Sequence, residues 1–73
     1  MFDQKIFGER LKALRLETKT SQTAIGNLLG VGKTQISEIE NGHRATTIGN
    51  LVVLADCFGV TTDYLLGRSE KRN

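Results

Sequence analysis

Apolar residues recur along this chain at helical spacing, and the runs are broken by glycine or by short polar stretches. Phe7, Leu11 and Leu14 stand at i, i+4 and i+7, a single stripe, with Glu9, Arg10 and Lys12 on other faces. Thr18-Lys19-Thr20 interrupts the pattern, because threonine hydroxyls and stiff χ1 angles compete with helix. Ser21 offers an oxygen to the orphan amides of a second helix, in which Ile25, Leu28 and Leu29 share a face before Gly30 ends it. After Val31 a third helix starts, with Ile36 and Ile39 inward and Lys33, Thr34, Gln35, Ser37 and Glu38 mostly outward. Asn41-Gly42 closes it. His43 to Thr46 reads as a polar loop. Thr47 can cap a fourth helix whose apolar positions are Ile48, Leu51, Leu54, Ala55 and Phe58, stopped by Gly59. Thr61 caps a last turn or two carrying Tyr64, Leu65 and Leu66, with Asp63 at its positive end and Gly67 as its stop. Met1 to Gln4 reads as a loose lead-in. Residues 68–73 read as a charged flexible tail with nothing to bury. Nothing alternates like a strand or repeats. The pattern predicts an all-α fold, a compact bundle of about five short helices around one core.

Composition narrows the function more than the fold. A chain of 73 residues makes one small domain, near the size at which a single core is only just sufficient. Its 38% apolar content against 25% charged excludes a disordered chain, yet leaves little material for a catalytic cleft. Net charge is +2, with a pI near 9.0. The first 44 residues hold seven Lys/Arg and five Asp/Glu, while the remainder holds three of each, so the basic excess lies in the first part. Such a bias suits local phosphate contacts, not a polybasic arm. Cys57 is the only cysteine, which rules out an intrachain disulfide; it falls on the apolar side of Val52 to Phe58, where packing is expected. His43 has no second His, Cys or acidic cluster at ligand spacing, so no metal is expected. No apolar run nears the ~18 residues of a membrane span. No signal-peptide pattern opens the chain, and a cytoplasmic location is expected. Nucleophile–base pairs and paired carboxylates are also lacking, so no enzyme and no cofactor are expected.

Two short helices at a fixed angle, the second with a polar face of short hydrogen-bonding side chains, suit the reading of a DNA groove. The stretch from Ser21 to Gly42 closely resembles the helix-turn-helix of the phage lambda-repressor-like family (Cro-type, or XRE). Phe7 to Arg15 resembles that family's first helix. Gly42 to Leu51 resembles the loop into its fourth, and Leu54 to Gly67 the end of the fourth and a short fifth. The resemblance covers residues 6–67 as one domain, with the motif at 22–41. Gly30-Val-Gly-Lys-Thr34 looks like the end of a P-loop, but the full pattern needs glycine at Asn27, and no strand precedes it.

The resemblance implies roles residue by residue. Gln22 becomes a phosphate contact at a helix N-terminus, where free amides and partial positive charge favour an anion. Lys33, Thr34 and Glu38 become the base-reading positions, with Gln35 and Ser37 partly lateral. Lysine can donate to guanine, threonine can touch a thymine methyl, and glutamate can accept from cytosine. Glu38 could instead accept from Lys33. Gly32 stands where the family often has Ser or Thr and leaves only its backbone N–H for DNA. Asn41, His43 and Arg44 fall among further backbone contacts, which fix register without reading sequence. Arg15 and Glu40 match a structural ion pair that locks the reader helix onto the first helix. Arg10 and Lys19 are expected to be solvated or loosely phosphate-facing. Gly26, Thr20 and Thr46 depart from the family's usual residues, and a mid-helix glycine costs up to ~1 kcal/mol of propensity.

The function so implied is a sequence-specific DNA-binding regulator, a repressor on a palindromic double-stranded operator, bound as a homodimer through the major groove. Val60, Tyr64, Leu65 and Leu66 are either its dimer surface or simply core. The alternative is an antitoxin or accessory subunit that uses the same fold to bind protein. No membrane and no small-molecule ligand are indicated.

Overall fold

Four of the five helices begin at a side chain that holds their first-turn amides. In the computed structural model, which describes residues 2–73, Asp3 Oδ1 accepts from the N–H of Lys5 (2.9 Å) and Ile6 (3.3 Å) and starts α1, Gln4–Glu17. Of the expected loose lead-in, Met1 lies outside the described residues, Asp3 is a cap and Gln4 opens the helix. Ser21 accepts from Ala24 and starts α2, Gln22–Leu29; Thr47 accepts from Asn50 and starts α4, Ile48–Phe58; Thr61 accepts from Tyr64 and starts α5, Thr62–Leu65. The exception is α3, Lys33–Glu40, which follows Gly32 and has no side-chain cap.

The five helices enclose one aliphatic core. Phe7, Leu11 and Leu14 from α1 meet Ile25 of α2, Ile36 and Ile39 of α3, Leu54 and Ala55 of α4, and Leu65 of α5. Each large side chain so buried is worth roughly 1.5–3 kcal/mol, which orients every helix about its axis. Leu29, Val31, Leu51, Phe58, Val60 and Tyr64 pack around the margin.

Three apolar positions differ from the sequence expectation. Leu28 is exposed on α2, Ile48 is 81% exposed on α4, and Cys57 is exposed as well. Helix α4 has apolar residues on every side, so periodicity could not say which stripe faces inward. Leu51, Leu54, Ala55 and Phe58 take that place, and Ile48 and Cys57 are rotated out of it. Leu65 is fully buried and is not available as a dimer surface.

Two glycines set helix spacing. A Cβ on Gly8 would strike the carbonyl oxygen of Ile39 and lie 2.8 Å from that of Glu40, so α1 backs directly onto the end of α3. A Cβ on Gly26 would lie 2.6 Å from the Val31 carbonyl oxygen. The tight turn between α2 and α3 thus needs a residue smaller than alanine, and its propensity cost is tied to that approach.

Residues 68–73 do not hang free of the bundle. The Thr61 N–H donates to the Arg72 carbonyl (2.7 Å), and the Arg72 guanidinium holds Glu17 through two bonds of 2.9 and 2.8 Å. Arg10, expected in solvent, donates to the Tyr64 and Ser69 carbonyls and to Glu70. The Tyr64 ring lies against both guanidiniums, with Arg10 at 4.3 Å and Arg72 at 5.3 Å.

Candidate nucleic-acid interface

Helix α3 buries Ile36, Ile39 and Glu40 and turns its other side outward. Lys33 and Thr34 are exposed, and Gln35, Ser37 and Glu38 are half-exposed. The turn that carries it is closed by the Val31 N–H donating to the Gly26 carbonyl (2.8 Å). Gly30 to Thr34, the P-loop look-alike, is this turn and the start of α3.

Glu40 is the buried polar residue at the end of α3, and both of its carboxylate oxygens accept hydrogen bonds. Arg15 Nε donates to Oε2 (2.6 Å) and Nη2 to Oε1 (3.0 Å), a bidentate grip. Gln22 Nε2 donates to the same Oε1 (3.1 Å), and Arg15 Nη1 reaches the Thr20 carbonyl (3.1 Å). One carboxylate therefore ties α1, the loop after it and the start of α2 to the reader helix. The hydrogen bonds that Arg15 donates to Glu40 raise the Arg15 pKa above its ordinary value, against the opposing effect of burial, and keep the guanidinium charged.

Beside this lock, between the start of α2 and α3, opens a cleft of about 420 Å3 lined by Lys12, Gln22, Lys33, Ser37 and Asn41 along with Glu40 itself. Gln22 keeps a second amide N–H beyond the one given to Glu40. With two lysines and the N-terminal end of α2 at its walls, the cleft has the chemistry of an anion seat. Lys12 was missed from the sequence. Its signal was its place three residues before Arg15, which puts it on the same side of α1.

The remaining candidates fall into separate places. Arg44 Nε donates to Glu38 Oε1 (3.0 Å), so the partner of Glu38 is Arg44 and not Lys33. Asn41, His43 and Gly32 are exposed at the two ends of α3. Val60, Tyr64 and Leu66 are half-buried, far from being an open patch. Among the described residues no group of three His, Cys, Asp or Glu could hold a metal ion. No described helix is long and apolar enough to cross a membrane.

Comparison with known proteins agrees with this arrangement. The helix-turn-helix family model matches residues 11–65. The chain belongs to the lambda-repressor-like helix-turn-helix family. This helix-turn-helix protein is 36% identical over 64 residues to the transcriptional regulator AnsR of Bacillus subtilis, covering 88% of its own length and 55% of AnsR. It is 38% identical over 73 residues to the control protein C.MunI of a Mycoplasma species, covering 97% of its own length and 99% of that protein. It also matches the crystal structure of the P22 c2 repressor protein bound to a synthetic operator, with a TM-score of 0.78 and 33% identity over 86% of this chain and 96% of that one. The chain thus spans about half the length of AnsR and nearly all of C.MunI. The relatives are transcriptional regulators, a non-enzymatic family, and the all-helical fold is theirs.

Proposed function

We propose that this chain is a sequence-specific DNA-binding repressor that occupies a palindromic operator as a homodimer, in the cytoplasm, with α3 in the major groove. The observation that carries the reading is the pairing of an outward polar face on α3 with a lock behind it. Thr34 and Glu38 stand on the side of α3 opposite Ile36 and Ile39, with Lys33 at the edge. The Glu40 network holds that face at a fixed angle to α2. Lys33, Thr34 and Glu38 read base edges. Gln22, Gln35, Ser37, Asn41, His43, the Gly32 N–H and the newly found Lys12 position the helix on backbone phosphates. Arg44 serves the backbone while paired with Glu38. One such module covers little DNA, and two copies on two half-sites supply the missing contact area. The P22 c2 repressor's complex with a synthetic operator supports the same docking here.

The test is a footprint on the DNA flanking the chain's own gene, with affinity measured across salt. Protection of two half-sites about one helical turn apart is expected. Affinity should fall at least ~10-fold between about 50 and 200 mM salt as phosphate contacts release counterions. No protection, together with a flat salt response, would overturn the reading.

A further inference from the structure

We infer that Arg44 is a specificity-determining residue that acts through Glu38: it neutralises and aims the one carboxylate on the outward face of α3, so that the two side chains together read a base pair. The inference rests on the DNA-reading function above and gives Arg44 more than a backbone role. Glu38 is the only acid among the outward residues of α3, which are otherwise Lys33, Thr34, Gln35 and Ser37. A bare carboxylate between two strands of phosphate is repelled, and it gives up water on entering the groove. Glutamate can accept from the amino group of cytosine, but that one contact has to offset both costs.

The turn after α3 supplies a second offset. Gly42 has a φ of +80°, the left-handed conformation that reverses the chain at a helix end. Its N–H donates to the Ile39 carbonyl (3.1 Å), and the His43 N–H donates to the Glu38 carbonyl (2.9 Å). The loop is thus hydrogen-bonded to the backbone of the same residue whose side chain Arg44 holds. Arg44 Nε donates to Glu38 Oε1 at 3.0 Å. Among the described residues nothing donates to Oε2, which is left to accept from a base. The four remaining guanidinium N–H groups are left for a phosphate.

No other cation is placed to do this. Lys33 stands five residues before Glu38, about 140° round the helix. Thr34 is one turn before Glu38 and in line with it, so those two face neighbouring positions along the groove. With side chains 49% and 43% exposed, the Arg44–Glu38 pair adds little to folding stability. Its value lies in ordering a long, swinging carboxylate before DNA arrives, so that binding does not bear that cost.

Selecting randomised duplexes on the wild type, then measuring each variant on the chosen site and its single-base changes at one salt concentration, tests this. Glu38→Gln marks the base pair concerned: preference there should move from cytosine towards adenine, which an amide can grip at N6 and N7. One mismatch ordinarily costs roughly 5- to 150-fold in affinity. Arg44→Ala should lower that penalty at least ~5-fold at the base pair marked by Glu38→Gln, and leave it intact elsewhere. Arg44→Lys should recover part of the loss, since the charge returns without the fork. In a chain already carrying Glu38→Gln, Arg44→Ala should weaken all sequences alike. Melting temperatures should be nearly unchanged throughout, so folding does not account for the losses. An Arg44→Ala variant that weakens every sequence equally and keeps full discrimination at the marked base pair overturns the proposal. So does a Glu38→Gln variant with unaltered base preference. Either result leaves the DNA-reading function standing, whereas a wild type that enriches no sequence removes that function and this role together.

Discussion

Helix α1 is fastened along two faces by arginine–carboxylate pairs of nearly the same geometry, and only their surroundings differ. Arg15 grips Glu40 at 2.6 and 3.0 Å with side-chain exposures of 12% and 2%. Arg72 grips Glu17 at 2.8 and 2.9 Å with exposures of 46% and 49%. Distance alone would rank them as equals. Burial separates them, because water screens the second pair and replaces either partner when the other is removed. A buried charge that loses its partner has no such substitute. The reader helix is thus secured by the expensive kind of contact and the end of the chain by the cheap kind.

Breaking that contrast starts at Glu40. Glu40→Ala and Arg15→Ala should each cost up to about 3–5 kcal/mol in denaturant unfolding, and the double variant should lose clearly less than their sum. Additive losses would show that the two do not act as a pair. Gly8→Ala tests the same seam sterically. Its Cβ would run into the Ile39 and Glu40 carbonyls, so a loss of about 1–3 kcal/mol is expected with no change of charge. An unchanged midpoint would mean that α1 can slide along α3.

On the other face, Arg10 is half-buried beneath Tyr64, and Arg10→Ala should cost about 1–2 kcal/mol through lost carbonyl bonds and stacking. The smallest effect belongs to Glu17. Its hydrogen bonds to Arg72 hold its carboxyl below the ordinary value of 4.5, so the folded state binds that proton less readily than the unfolded chain. The stabilisation is present above about pH 4.5 and fades as pH falls through the lower, folded value. Glu17→Gln should therefore lower the melting temperature slightly at neutral pH and converge with the wild type in acid, which flattens the acid end of the profile. Added salt should erase the difference, whereas it should leave the Glu40 variants as damaged as before.

What could be read in the sequence was local. The caps at Ser21, Thr47 and Thr61 and the stripe of Phe7, Leu11 and Leu14 each involve residues within two turns of one another. The Arg15 and Glu40 positions were legible only through family resemblance, since 25 residues separate them. Arg10 was misplaced because its partners, Tyr64 and Ser69, lie 54 and 59 residues away, and no periodicity reports such a distance. Ile48 and Cys57 were misread for a different reason. Periodicity says which residues share a face, and on a helix apolar all round it cannot say which face meets the core. The same ambiguity that hid the inward stripe is what leaves an apolar one outside.

The charges around the reader helix divide by type. Both arginines there are engaged within the protein, Arg15 with Glu40 and Arg44 with Glu38. The cations that the cleft presents are the lysines Lys12 and Lys33. An arginine's planar fork demands one geometry, whereas a lysine is a single charge on a long, swivelling stem. Rigid cations here build the instrument and supple ones reach away from it. In the proposed reading a polyanion is first drawn in by a field with little directional preference, and uncharged groups, Gln22, Ser37 and Asn41, help to align it. In that reading attraction and aim draw on partly different side chains, so a change at one of the uncharged groups need not weaken the field.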